Sequence, residues 1–250
     1  MKSMRVLLLL LTALLLAPPV GAEAPLSARE LLNRVDDLYR GRSAHGTMTM
    51  KVVNPHYQRE LVMEFWSQGT DKSLVRILQP KKERRTSTLK NGNNIWNYLP
   101  KVDRTIKIPS SMMGGSWMGS DFTNDDLVKE HRMAVDYDSR FTSSGGDSKD
   151  VIEITCTPKP NAPVVWGKVV VRVRRADLIP IETTYYKENG AVARRLTFSN
   201  VRELGGRKLP TTLTMIPVGK PGHSTVVSYQ DIEFDVPLRP GLFTVANLRD

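Results

Sequence analysis

The sequence predicts a mainly β protein of the α+β class, built on one large antiparallel sheet with one wet face. Three observations carry this. Beyond residue 45, apolar side chains recur at every second position, as in "GTMTMKVV" (46–53) and "YQRELVMEFW" (57–66); such alternation marks strands with one buried and one solvated face. Turn-forming pairs punctuate the runs at Asn91-Gly92, Gly145-Gly146, Asn189-Gly190 and Gly205-Gly206, and Asn-Gly is a strong signal for a tight hairpin. The strand-like runs, roughly ten to twelve, follow one another without the intervening helical patterns of a parallel α/β chain.

The first element lies outside that sheet. Lys2 and Arg5 precede an almost wholly apolar run from Val6 to Ala17, broken by Pro18 and Pro19 and followed by Val20, Gly21 and Ala22. A short basic region, an apolar stretch and small residues form a secretory leader, residues 1–22. The stretch falls short of the about 20 apolar residues that span a bilayer. Residues 23–250 read as a single domain, since no repeat, low-complexity tract or linker divides them. "LSARELLNRVDDLYRG" (26–41) is then one helix. Ser27 and Glu30 have capping-box spacing, with Leu26 and Leu31 placed for a hydrophobic staple. Leu31, Val35 and Leu38 share a face, and Gly41 can close the helix.

Strands follow in "YQRELVMEFW", with Leu61, Met63 and Phe65 on one face, then in "DKSLVRILQP", "RRTSTLKNG", "NIWNYLP" and "VDRTIKIP". "SSMMGGSWMGSDFTNDDLV" (110–128) breaks the alternation. Thr123 or Asn124 is a suitable cap for a short helix, with Asp125 and Asp126 near its positive end. Alternation then resumes from "KDVIEITCTP" (149–158) to "HSTVVSYQDIEFD" (223–235). A sheet of this many strands must curl, close or split. Two short helices cannot cover its apolar face completely. The uncovered remainder is a cavity, and an apolar cavity in an exported chain points to a greasy ligand.

Composition excludes several chemistries. The four histidines, His45, His56, His131 and His223, lack zinc-ligand spacing, and the lone Cys156 has no partner cysteine. Ser116, in "GGSWM", lacks the final glycine of a nucleophile elbow, and "DFTNDD" lacks the order of a calcium loop. No catalytic residue, metal or cofactor is assigned. The net charge of +10 could invite nucleic acid, but the leader argues against it. The basic cluster "PKKERR" (80–85) is a solvated loop or a patch drawn to an anionic membrane or an acidic partner.

A leader, one amphipathic helix, many strands, and "NIWNYLPKVDRTIKIP" followed by "MGSDFTNDDL" together resemble the LolA-like family of periplasmic outer-membrane lipoprotein-sorting proteins, in a branch apart from the well-studied carrier. The resemblance implies a strongly curved antiparallel sheet, an incomplete barrel closed by an N-terminal helix and a mid-chain lid. It implies a non-enzymatic periplasmic carrier for acyl chains of lipoprotein or another lipid, with an inner-membrane exporter and an outer-membrane acceptor as partners, acting without cofactor and as a monomer. A sensor or adaptor that binds a lipidated signal and a secreted hydrolase are the alternatives.

Within that frame the lid is assigned to Met112, Met113, Trp117, Met118 and Phe122. Methionine repacks at low cost and glycine loosens the backbone, so the stretch reads as a mobile cover. The cavity wall is assigned to Leu61, Met63, Phe65, Val75, Trp96 and Tyr98, on alternation alone.

Overall fold

The computed structural model describes residues 26–129, 133–142 and 149–249. The leader, His131 and the Gly145-Gly146 turn lie outside the described residues. One helix, α1 (Ala28–Asp37), precedes six strands: β1 (Ser43–Asn54), β2 (Tyr57–Gln68), β3 (Lys72–Gln79), β4 (Ser87–Asn91), β5 (Asn94–Leu99) and β6 (Arg104–Lys107). Two short helices, α2 (Asn124–Lys129) and α3 (Met133–Asp136), lead to β7 (Tyr137–Thr142), β8 (Val151–Pro158), β9 (Lys168–Arg174), β10 (Pro180–Tyr186), β11 (Val192–Leu204), β12 (Arg207–Pro217) and β13 (Ser224–Phe234).

All these strands form one sheet in the order β6-β5-β4-β3-β2-β1-β13-β12-β11-β10-β9-β8-β7. Every pairing is antiparallel. The chain begins in the middle, meanders out to one edge, then reappears at the opposite edge and meanders back to β1. The sheet does not close, so it is the incomplete barrel the sequence predicts. Residues 108–136 connect its two free edges. Bulges between Thr47 and Met48 and between Val62 and Met63 add local twist and help the sheet curl. Gly46 sits beside the first of them because a Cβ there would stand 2.1 Å from the Asp231 carbonyl oxygen.

Local chemistry explains the ends of the elements. Ser27 and Glu30 form the capping box, the Ser27 amide donating to Glu30 at 2.7 Å and the Glu30 amide to Ser27 Oγ at 3.2 Å. The Ser27 hydroxyl, which also donates to the Glu30 carboxylate at 2.7 Å, and the Ser27 amide hold that carboxyl below its ordinary range. Gly41 does not end the helix as expected. The cap falls at Leu38, and Gly41 is required instead by close packing, since a Cβ would meet Asp235 Oδ1 at 2.7 Å. The Asn-Gly and Gly-Gly turns appear as read, with Gly92, Gly190, Gly205 and Gly206 all at positive φ, a conformation open to glycine.

Both faces of the sheet are buried over part of their extent. Pairs Met50–Leu61, Met48–Met63, Met63–Ile77 and Phe65–Val75 are cross-strand neighbours and line the concave face, together with Leu196, Leu213, Met215 and Val227. Helix α1 covers the far end of that face, packing Ala28, Leu31 and Leu32 on Ile154, Cys156, Val169, Val171 and Val173. On the convex face Leu74, Leu89 and Tyr98 lie beneath Leu242, Phe243 and Leu248 of the C-terminal segment. A fully buried Leu or Ile contributes about 1.5–3 kcal/mol, so each cover is a substantial term.

Candidate functional site

Between α1 and the β1–β4 arm the concave face is not filled. A cavity of about 250 Å³ remains there. Its walls are mostly apolar: Met48, Phe65 and Val75 from the first arm, Leu196, Phe198, Leu213, Met215, Val227 and Tyr229 from the second. Leu32 and Val35 of α1, with Tyr39 just beyond it, roof one end, and Trp117, Phe122 and Leu127 the other. Tyr39 stacks on Tyr229 at 5.4 Å and donates its hydroxyl hydrogen to the Pro210 carbonyl at 2.8 Å, which fixes this part of the roof. Toward the β2–β3 turn the lining becomes polar, with Asp36, Arg40, Thr70, Lys72 and Lys90. Lys90 is buried there and donates to the Thr70 carbonyl at 2.6 Å.

The roof segment crosses from β6 to β7 as a strap. Its centre is a tight loop in which Ser116 and Thr123 form a bridge and the Trp117 amide donates to the Phe122 carbonyl at 2.8 Å. Thr123 takes the cap position: its Oγ1 accepts from the Asp126 amide at 3.2 Å, while Asp126 accepts from the Thr123 amide at 2.8 Å. Asn124 Nδ2 donates to the Gly115 carbonyl at 3.2 Å.

The strap is tied to both arms of the sheet. On the first arm, Trp117 Nε1 donates to Thr88 Oγ1 at 3.1 Å and Arg59 donates to the Met118 carbonyl at 2.7 Å. On the second arm, Asp121 accepts from Thr225 Oγ1 at 2.7 Å and donates its amide back to that oxygen at 2.9 Å. Each bond of this kind contributes about 0.5–1.5 kcal/mol net. The strongest tie is Asp126 with Arg194, a bidentate pair with one bond of 2.7 Å. Arg194 is 4% exposed and lies against the rings of Tyr185 and Trp166, at 4.4 and 4.6 Å. Burial is the largest influence and works against its charge, but the Asp126 carboxylate, with Tyr185 and Asp125 beside it, holds the guanidinium above its ordinary range. The cover thus lies pinned rather than loose. Met118 adopts the left-handed conformation (φ 50°), which an L side chain reaches at a cost.

On the other side of Trp117 and Met118 the trough continues into a second hollow of about 570 Å³. Ile77, Leu99, Val102 and Met118 are among its apolar lining, and Arg59, Lys82, Glu83, Lys101, Asn97 and two threonines make up its polar lining. Trp117 faces the first space and Met118 the second, so these two adjacent residues form the partition.

The predicted site residues divide into groups. Trp117, Phe122, Phe65 and Val75 meet at the cavity. Met118 packs on the same core but faces the second hollow. Met112 is 59% exposed and Met113 half-buried, and neither lines the cavity. Leu61 and Met63 share the concave face but are fully packed. Trp96 and Tyr98 are corrected: they point to the convex face, where they join the cluster of Leu74, Leu89 and Phe243. The walls from β11 to β13 lie outside the predicted set, although "RRLTFSN", "TTLTMIP" and "TVVSYQD" alternate clearly. Nothing in the sequence announces the Asp126–Arg194 pair, whose members stand 68 residues apart.

Among the described residues, no group of three or more His, Cys, Asp or Glu side chains is arranged to hold a metal ion. Cys156 is buried and its thiol is pushed up to about 12 by desolvation. Burial also raises the Tyr137 phenol. No described helix is long and apolar enough to cross a membrane.

A family model described as an uncharacterized protein matches residues 69–250. No match was found among curated proteins. Several solved structures share the architecture. A DUF1329 family protein from Desulfovibrio piger is 22% identical, with 88% of this chain and 97% of that one covered and a TM-score of 0.78. A domain named for outer-membrane lipoprotein sorting, from Vibrio parahaemolyticus, is 23% identical over 89% and 98%, with a TM-score of 0.74. A LolA superfamily protein from Nitrosomonas europaea is 21% identical over 88% and 99%, with a TM-score of 0.73. The likeness is one of fold.

Proposed function

The chain belongs to the family of uncharacterized proteins whose model spans residues 69–250, and we propose that it is a non-enzymatic periplasmic carrier. It holds an acyl chain of a lipoprotein or another lipid for transfer toward the outer membrane. The observation that carries this reading is the apolar cavity enclosed between an open sheet, α1 and a tied strap. Burying a methylene is worth about 0.8 kcal/mol, so a long chain gains several kcal/mol on entering. The cavity as it stands, about 250 Å³, is below the roughly 300–1,000 Å³ of most small-molecule sites. Cargo therefore has to displace part of the cover. Methionine supplies that adaptability, with Met48 and Met215 in the wall and Met118 in the partition. The polar end near Arg40, Lys72 and Lys90 suits the head of an amphiphile.

The fold it shares with a domain named for lipoprotein sorting and with a LolA superfamily protein supports the same reading. On this proposal Trp117, Phe122, Phe65 and Val75 touch the chain, residues 1–22 are removed on export, and the partners are an exporter at the inner membrane and an acceptor at the outer one. Lipid extraction of natively purified protein, followed by mass spectrometry, tests it. Co-purifying long-chain lipid, uptake of a fluorescent fatty acid and delivery of it to acceptor vesicles are the expected results. Uptake without delivery would favour a sensor instead. A protein that carries no lipid and takes up no fatty acid would sink the carrier reading.

A further inference from the structure

The register of the sheet gathers the turns after β1, β3 and β5 and the start of edge strand β6 on a single rim. We propose that this rim is a docking surface for an anionic lipid bilayer. Two properties coincide on it. Apolar side chains stand in solvent: Leu99 is 37% exposed, Ile106 44% and Val102 59%. Leu99 pairs with Arg104 and Ile106 with Asn97, so both share the face that continues into the second hollow. Around them lie Lys81, Lys82, Arg84, Arg85, Lys101 and Arg104, all exposed. The acids nearby are engaged. Glu83 is paired with Arg59, its Oε1 accepting at 3.1 Å, while Asp103 accepts from the Tyr98 hydroxyl at 3.2 Å and faces Arg249 at 3.9 Å. The rim is thus cationic with apolar tips.

Charge complementarity selects the partner. Long, flexible cations spread over two separate turns suit a diffuse sheet of lipid phosphates, and protruding aliphatic tips suit the interface between headgroups and acyl chains. The mouth of the second hollow opens within this rim, since Lys82, Lys101 and Val102 line it. Docking would set that mouth against the bilayer. The partition of Trp117 and Met118 then separates the membrane from the cavity by two side chains. The surface stands or falls independently of the cargo reading, because an empty protein docks as well as a loaded one.

Co-sedimentation of the full protein with phosphatidylcholine vesicles, with and without phosphatidylglycerol, tests the proposal. Binding should require phosphatidylglycerol and weaken with added salt. Lys82→Glu with Lys101→Glu should lower the partition coefficient at least roughly tenfold, since each basic residue near an anionic surface is worth about fivefold. Val102→Asp with Ile106→Asp should weaken binding that survives added salt. Arg29→Glu with Arg175→Glu, the same change of net charge far from the rim, should leave binding intact. All substituted positions are exposed, and a thermal melt by circular dichroism confirms the fold. No binding to anionic vesicles, equal binding to neutral ones, or equal losses from the rim and control pairs would overturn the proposal. Capture of an acidic protein without vesicle binding would do so too.

Discussion

On the convex face, Leu74, Leu89 and Tyr98 lie under Leu242, Phe243 and Leu248, and the cover fits closely enough that all six are buried. On the concave face, an equally apolar set of strand residues lies under Trp117, Phe122 and α1, yet a cavity remains. The strands do not make this difference; the covers do. The C-terminal cover is held chiefly by apolar packing, with Asn91 and Arg76 donating to the carbonyls of Phe243 and Asn247 at 3.3 and 3.0 Å. The strap is held by polar ties at its margins: Asp126 to Arg194, Asp121 to Thr225, Trp117 to Thr88. Apolar packing fills space as it binds. Marginal ties hold a roof in place without filling the space beneath.

If so, breaking the strongest tie should cost the most. Asp126→Ala leaves Arg194 buried and unpaired, and urea denaturation should show a loss of about 3–5 kcal/mol. Asp126→Leu combined with Arg194→Met should restore most of it. Leu248→Ala, on the other side, should cost about 3 kcal/mol by opening a void in the back cover, with fatty-acid affinity unchanged. A drop in affinity would mean that the two faces are coupled. Trp117→Phe removes one hydrogen bond at about 1 kcal/mol and should speed release of a fluorescent fatty acid several-fold in stopped-flow experiments. Trp96→Phe should change neither release nor affinity, because Trp96 belongs to the convex face.

The smallest effect is expected under α1, where the concave face is sealed. Native Cys156 should resist Ellman's reagent at pH 8 and react at once on unfolding. Its thiol titrates at about 12 in the fold against 9.0 in the open chain. The neutral form is therefore favoured by folding, so this group contributes fully below pH 9 and loses that contribution as pH rises from about 9 to 12.

The Ser27–Glu30 cap and the Asn91-Gly92 turn were legible in the sequence because both depend on neighbours in the chain. The faces of β2 were legible too: Leu61, Met63 and Phe65 do share one side. Alternation carries no information on where packing stops, so it cannot separate Leu61 and Met63 from Phe65, which alone of the three reaches the cavity. Strand β5 misled for a different reason. Ile95 alternates with Trp96 and Tyr98, apolar at both parities, because both faces are covered along that part of the strand; Leu99 at its end stands exposed. The C-terminal cover is not legible in the sequence, since residues 235–249 show neither strand nor helix periodicity. Asp126 reads as a residue at a helix start, and it lies in the first turn of α2. Its partner Arg194 lies in a strand on the other arm, and only the curl of the sheet brings them together.

The strand order has one more consequence. Every pairing in the sheet joins strands that are neighbours in the chain, except that of β1 with β13. Each arm can therefore zip up from local hairpins, and the molecule needs one distant closure to become whole. The entropy of closing a loop grows only slowly with its length, and folding rates follow the share of distant contacts. A sheet this wide can thus be assembled as two short-range halves, with a single seam as the slow step and the strap docking across them after the seam has formed.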